Sequence, residues 1–247
     1  YCRLTMKKIY VIQFRTEVCE EHEQKCYREE LDLGENQLIF LSAVKDELPL
    51  VVPEDVVGII MAGSGEFYLS EGHGRESWLP GVHVFIKSAL QKNIPILGVC
   101  YGFQILCDYF GADVVDDEQY RETGSHLVTK LVPADHDPLF KKLPETFWGQ
   151  FGHKDTMVNI PNDFEVLCKT ERVPCQAVRL KGKDVWGVLF HVELNKDKIK
   201  ERIEIFPNYT SDDSQMQKIM SSIEDSSHAT QILKDFVAFS LDKVRKD

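Results

Sequence analysis

Short, almost wholly apolar runs rich in β-branched residues alternate along the chain with longer stretches whose apolar residues recur at helical spacing. Ile9 to Phe14 (IYVIQF) reads as a first strand and Gln37 to Ser42 as a second. Between them Glu17 to Leu31 is charged, and Val18, His22 and Cys26 stand four apart, on one side of a surface helix. Val56 to Met61 (VVGIIM) and Pro95 to Val99 (PILGV) carry no polar side chain, as strands covered on both faces require. Trp78, Val82, Phe85, Ile86, Ala89 and Leu90 mark one face of a helix between those strands. Another helix, Gly102 to Phe110, follows Cys100 at once. This alternation predicts an α/β fold, an open, mostly parallel twisted sheet with helices on both faces.

Beyond Asp113 the pattern changes. Leu127–Val132, Phe164–Lys169, Cys175–Leu180 and Val185–Phe190 are short runs between dense turns, which predicts a smaller antiparallel β extension. The acidic stretch Asp113 to Glu118 reads as a solvated edge. Lys196 to Phe206 predicts a helix and Thr210 to Ser227 a polar loop or weak helix. Ile232, Leu233, Phe236, Val237 and Phe239 predict a closing amphipathic helix. With no repeat and no long linker, residues 1–247 read as a single domain, and about 207–247 as its C-terminal helical extension.

Composition narrows the function classes. The 247 residues are 43% hydrophobic and 28% charged, with a net charge of −11. That balance argues against nucleic acid, whose phosphates call for a basic face. No apolar run approaches the length that crosses a bilayer, so no membrane is expected. Seven cysteines without a CxxC pair, and His73, His126, His136 and His228 without partners at ligand spacing, leave no metal site to expect. A reducing, cytoplasmic home is the simplest reading. The triplet Asn208-Tyr209-Thr210 then carries no sugar.

The strongest local feature is Gly98-Val99-Cys100-Tyr101-Gly102, a thiol between a buried strand and a helix with glycine on both sides. Such an elbow lifts a nucleophile above the sheet, and the glycines let backbone approach closely. A helix N-terminus under the sulfur favours thiolate and offers N–H groups to an oxyanion. Cys107, seven residues further along, reads as core. The second feature is His191-Val192-Glu193 at the end of a strand. Side chains two apart on extended chain point the same way, so Glu193 can orient the His191 ring and His191 can take the Cys100 proton.

Together GVCYGFQ (Gly98 to Gln104) and FHVE (Phe190 to Glu193) resemble the G-x-C-x-G-x-Q and F-H-P-E patterns of the class I glutamine amidotransferases. Val192 stands where that family has proline. IIMAGSGE (Ile59 to Glu66) resembles the family's oxyanion strand, which implies that the N–H groups of Ser64, Tyr101 and Gly63 form the oxyanion hole. Gln104 matches the family's substrate-holding glutamine. GHKDTMV (Gly152 to Val158) resembles the S-H-G-D-x-V segment of GMP synthetase glutaminase domains, which implies substrate contacts near His153, Lys154 and Asp155, with Lys154 replacing a glycine. YRETGS (Tyr120 to Ser125) is a looser echo of R-E-Y-G. The likeness runs from about Lys8 to Phe206 and implies a flavodoxin-like amidotransferase fold, with Cys100, His191 and Glu193 as a triad needing no cofactor.

The resemblance implies cleavage of a γ-glutamyl amide, in glutamine or a γ-glutamyl peptide, through a thioester. The chain carries no P-loop and no S-G-G-x-D-S-like segment, so ammonia transfer requires a synthase on another polypeptide. The long tail resembles stand-alone members such as the plant γ-glutamyl peptidases. Two other readings stand beside this one: a glutaminase subunit docked to a synthase such as GMP synthetase, and a stress protein of the DJ-1/PfpI type. The intact His191/Glu193 pair speaks against the last. The enzymatic readings all need an imidazole within reach of the sulfur, and a sulfur that substrate can reach.

Overall fold

The computed structural model describes residues 6–206 and 213–243. Its centre is built from the apolar runs. Strands β1 (Lys8–Gln13), β2 (Leu38–Ser42), β3 (Val56–Met61), β4 (Ile96–Val99) and β11 (Val185–Val188) pair in parallel, in the order β2-β1-β3-β4-β11. Beyond β11 the same sheet continues antiparallel through β10 (Ala177–Leu180), β9 (Phe164–Lys169), β6 (Glu122–Lys130) and β7 (Thr146–His153). A small second sheet pairs β5 (Asp113–Asp116) antiparallel with β8 (Asp155–Val158). The open, mostly parallel α/β sheet with an antiparallel extension is therefore the fold.

Alternation along the strands divides the interior in two. Ile9 and Val11 of β1, with Leu97 and Val99 of β4, face one cluster, together with Tyr27 of α1 (Glu17–Glu30) and Ile232, Leu233 and Phe236 of α6 (Ser227–Lys243). Tyr10, Ile12 and Ile96 face the other, with Val82, Phe85 and Ile86 of α2 (Leu79–Gln91) and Phe103, Ile105 and Leu106 of α3 (Tyr101–Tyr109). Helices thus cover both faces, which explains why the central strands are continuously apolar. Gly58 lets α6 approach β3, since a Cβ there would stand 2.8 Å from Ser240 Oγ. α4 (Lys196–Ile205) is capped by Asn195, whose side chain accepts from the N–H groups of Asp197 and Lys198.

Several expectations shift. The run expected at 127–132 is a longer strand that begins at Glu122 and stops at Lys130, because Pro133 breaks the ladder and a short 3₁₀ turn takes Val132–Asp135. Strand β11 ends at Val188, two residues short of the expected Phe190, and the chain leaves the ladder before His191. The acidic edge at 113–116 is itself a strand. β7 has no counterpart among the expected strands. Within the tail, residues expected as a loop or weak helix include α5 (Asp213–Ser221). The triplet at Asn208 and the N-terminal residues before Met6 lie outside the described residues. α6 is no loose appendage: Ala229, Ile232, Leu233, Phe236 and Val237 lie in the same core as β1 and β4. Among the described residues no helix is long and apolar enough to cross a membrane.

Candidate active site

Cys100 stands between β4 and α3 with φ +50° and ψ −105°. A non-glycine residue pays about 1–3 kcal/mol for such a backbone, and strain of this kind gathers at working sites. The neighbouring glycines are sterically required. A Cβ at Gly98 would stand 2.7 Å from the Gly102 carbonyl oxygen, and one at Gly102 would run into the Met61 carbonyl. The Gly102 N–H donates to the Ala62 carbonyl at 3.0 Å, which ties the elbow to the end of β3.

His191 and Glu193 meet as expected for side chains two apart. The His191 Nδ1–H donates to Glu193 Oε1 at 2.8 Å, and both groups are buried. The ring lies against the turn after β3, for a Cβ at Gly63 would stand 2.9 Å from His191 Cε1. The other ring nitrogen, Nε2, makes no hydrogen bond of good geometry among the described residues, while the Cys100 sulfur lies close enough to act on the ring. Burial works to lower the His191 pKa, but Glu193 and Cys100 outweigh it and hold it well above the ordinary value. Burial works to raise Glu193; the His191 charge and hydrogen bond, helped by Arg202, drive it well below the ordinary carboxylate range. The favoured state of the pair is imidazolium beside carboxylate.

Among the described residues, the N–H groups of Gly63, Ser64 and Tyr101 donate no hydrogen bond. Ser64 Oγ instead shapes its own loop, accepting from the N–H groups of Glu66 at 3.2 Å and Phe67 at 3.0 Å. Backbone N–H groups left open in this way are what an oxyanion needs.

The expected substrate residues are brought together, but mostly onto each other. Gln104 Nε2 donates to the Asp155 carbonyl at 3.1 Å. The Asp155 carboxylate accepts from the Ser70 hydroxyl at 2.6 Å and the Ser70 N–H at 3.0 Å. His153 packs its two ring nitrogens against the Asp155 carbonyl and the Glu122 carboxylate, at 3.2 and 3.1 Å. Lys154 points outward, over the Tyr68 ring and between Glu71 and Asp116. His73, passed over as a loop residue, accepts at Nδ1 from the Tyr68 N–H at 3.0 Å. Among the described residues no cluster of histidine, cysteine and acidic side chains is fit to hold a metal.

Two buried arginines had no signal in the sequence. Arg15 Nε donates to Glu23 Oε1 at 2.9 Å, and its guanidinium lies 3.1 Å from where a Gly63 Cβ would be. Arg202 Nε donates to His22 Nδ1 at 2.9 Å. Both bring positive charge under the site, Arg202 directly toward Glu193.

Cys100 is only 2% exposed and His191 1%. The chemical groups therefore lie in a low-dielectric surround, where charge acts strongly. The sulfur is enclosed in this conformation, and the enzymatic readings require an opening to it.

The glutamine amidotransferase class-I family profile matches residues 58–216 of this chain. The chain is 33% identical over 156 residues to the glutamine-hydrolyzing GMP synthase of Thermosipho melanesiensis, covering 63% of this chain and 27% of that protein. It is 32% identical over 109 residues to one subunit of the glutamine-hydrolyzing GMP synthase of Methanococcus aeolicus, covering 43% of this chain and 55% of that one. Each alignment thus spans only part of the relative's length. A glutamine amidotransferase from Thermotoga maritima shares the fold with a TM-score of 0.75 at 20% identity, covering 95% of this chain and 97% of that chain.

Proposed function

The chain belongs to the class I glutamine amidotransferase family, and on that premise we propose that it hydrolyses a γ-glutamyl amide bond through a thioester on Cys100. The observation that carries the reading is the His191–Glu193 pair, joined at 2.8 Å, with the Cys100 sulfur of a strained elbow close enough to act on the ring.

The Cys100 thiolate, its proton on His191, attacks the side-chain carbonyl carbon of the γ-glutamyl group. The carbonyl π-bond opens and its oxygen takes the negative charge, facing the N–H groups of Ser64, Tyr101 and Gly63. His191 gives its proton to the departing nitrogen as the C–N bond breaks, releasing ammonia from glutamine or an amine from a γ-glutamyl peptide. Water then gives a proton to His191 and attacks the thioester; glutamate leaves, and the thiolate–imidazolium pair returns. Throughout, Glu193 holds the ring in one tautomer. Gln104 and the backbone of the turn at His153, Lys154 and Asp155 hold the substrate's amino-acid end. No metal or organic cofactor takes part in these steps. Residues 1–247 work as one domain, in the cytoplasm.

A release assay tests this on purified protein, with glutamine, γ-glutamyl dipeptides and glutathione conjugates side by side. Turnover that disappears in Cys100→Ala supports the reading; turnover retained in that variant overturns it.

A second reading has its own support. The relatives named above are a glutamine-hydrolyzing GMP synthase and one subunit of another, which favours a glutaminase that passes ammonia to a separate synthase. Co-purification of an ATP-dependent partner that stimulates glutamine hydrolysis supports it. Hydrolysis of peptides but not glutamine contradicts it. The DJ-1/PfpI alternative loses ground to the family match and to the joined His191/Glu193 pair.

A further inference from the structure

The chain between His191 and Asn195 runs outside the sheet ladder, since β11 ends at Val188 and only an isolated bridge, Gln150 to His191, follows. Val192 there lacks the ring that fixes a proline's φ. Something else must hold this stretch, because the triad needs His191 and Glu193 in one geometry.

The residues after α5 make that restraint on both sides. On the His191 side, the His191 N–H donates to the Gln150 carbonyl at 2.8 Å. The buried Gln150 side chain closes a ring with the tail. Its Oε1 accepts from the Ser125 hydroxyl at 2.9 Å, and its Nε2 donates to the Glu224 carbonyl at 2.9 Å. The Glu224 N–H completes the ring by donating to Ser125 Oγ at 2.9 Å. On the Glu193 side, the Ser226 hydroxyl donates to the Leu194 carbonyl at 2.9 Å. Ser226 is 1% exposed, so water does not replace that bond. The Leu194 side chain packs with Ile223, Ile199, Ile203 and Cys26, with Met216 and Ile219 of α5 beside them. Gly124 opens the seat for α5, since a Cβ there would stand 2.9 Å from Ile219 Cγ2.

We propose that residues 223–226 are a positioning clamp for the His191–Glu193 pair, with Ser226, Gln150 and Ser125 as positioning residues. The proposal rests on the triad reading above. It makes the C-terminal extension part of the reaction without any of its residues touching substrate. Loss of the clamp lets Glu193 drift from Nδ1, and the imidazole then loses both its tautomer lock and the charge that keeps it protonated.

Ser226→Ala and Ser125→Ala test it, with Ile232→Val in α6 as a control that removes core packing away from the clamp. Four quantities are read: the thermal midpoint, kcat and KM on a γ-glutamyl substrate, the alkylation rate of Cys100 against pH, and the His191 titration by NMR. Ser226→Ala is expected to lower kcat about tenfold with KM within about twofold, a small misplacement of the reacting groups. It also moves the His191 titration to lower pH and the alkylation profile to higher pH, because a neutral imidazole no longer supports the thiolate. Ser125→Ala shifts both profiles the same way by less. Ile232→Val lowers the midpoint and leaves both profiles alone. A Ser226→Ala protein with a lower midpoint but wild-type kcat and His191 titration overturns the clamp. If Ser226→Ala does not fold, Ser125→Ala, at a half-buried position, decides on the same readouts. If the wild type turns over no γ-glutamyl compound, the proposed function fails, while the His191 titration still decides the clamp.

Discussion

Two buried histidine–glutamate pairs stand at different places in this sheet, and they differ in what the second ring nitrogen meets. His191 and Glu193 lie past the end of β11, at the elbow; His153 and Glu122 lie across β6 and β7, in the antiparallel part. At His153 both ring nitrogens face oxygen acceptors, and Glu122 also accepts from Thr170 at 2.7 Å and from Gln176. Burial works to raise Glu122, but the hydrogen bonds from His153 and Thr170 outweigh it and hold its pKa down. That pair is saturated and has nothing left to give a substrate. Among the described residues His191 Nε2 and Glu193 Oε2 make no hydrogen bond of good geometry. The same two residue types thus make a closed network where the bonds are complete and keep polar atoms open where they are not.

The comparison breaks most sharply by mutation. Cys100→Ala is expected to lower kcat by at least about 10⁴-fold while the unfolding free energy stays within about 1 kcal/mol, since it removes the nucleophile but little packing. Glu193→Gln lowers kcat about 10²- to 10⁴-fold, because the ring loses its tautomer lock. Glu122→Gln does the reverse: kcat stays within about threefold, while urea unfolding shows a loss of about 2–4 kcal/mol from the buried network it leaves unmatched. Equal effects of the two glutamine substitutions on kcat would erase the distinction.

Acidity sharpens the same contrast. Glu193 has a lowered pKa, so its contribution to stability is present above its ordinary value of 4.5 and is lost as pH falls below it. His191 has a raised pKa, so its contribution is present below its ordinary value of 6.5 and is lost as pH rises toward the raised one. The stability difference between wild type and Glu193→Gln is therefore flat between pH 4.5 and 6.5 and shrinks on both sides. Denaturant midpoints across pH measure this, and a difference that grows above pH 6.5 contradicts it. The smallest effect belongs to Lys154→Met. It raises KM about threefold with kcat retained, because a half-buried lysine paired to Glu71 and Asp116 near the surface contributes weakly.

How much of this could be read from the sequence follows from distance along the chain. The elbow and the His-x-Glu pair are local patterns, and the central strands are apolar because both of their faces are covered. β5 could not be read, since Asp-Val-Val-Asp looks like solvated edge until β8 pairs with it from forty residues away, as Asp113 with Val158. β7 was hidden by Gly149 and Gly152, and Gly149 is small because Phe190 packs there, 3.1 Å from where a Cβ would be. The start of β6 looked polar because Glu122 finds its partners only after folding. Arg15, Arg202, Gln150 and Ser226 carried no signal for a related reason: a polar side chain in a polar stretch reads as surface, and each is buried by partners on other elements. The resemblance placed Gln104, His153 and Asp155 at the substrate, and the fold places them in one network, yet their bonds run largely to each other.

The account depends on covalent chemistry at one sulfur. Protein quenched in acid during turnover of a γ-glutamyl dipeptide or glutamine, then digested and analysed by mass spectrometry, reads it directly. A γ-glutamyl adduct on the Cys100 peptide, larger in yield in Glu193→Gln than its slowed turnover would otherwise suggest and absent in Cys100→Ala, is the predicted result. Substrate consumed by wild type with the Cys100 peptide never modified, or modified elsewhere in the chain, would contradict it.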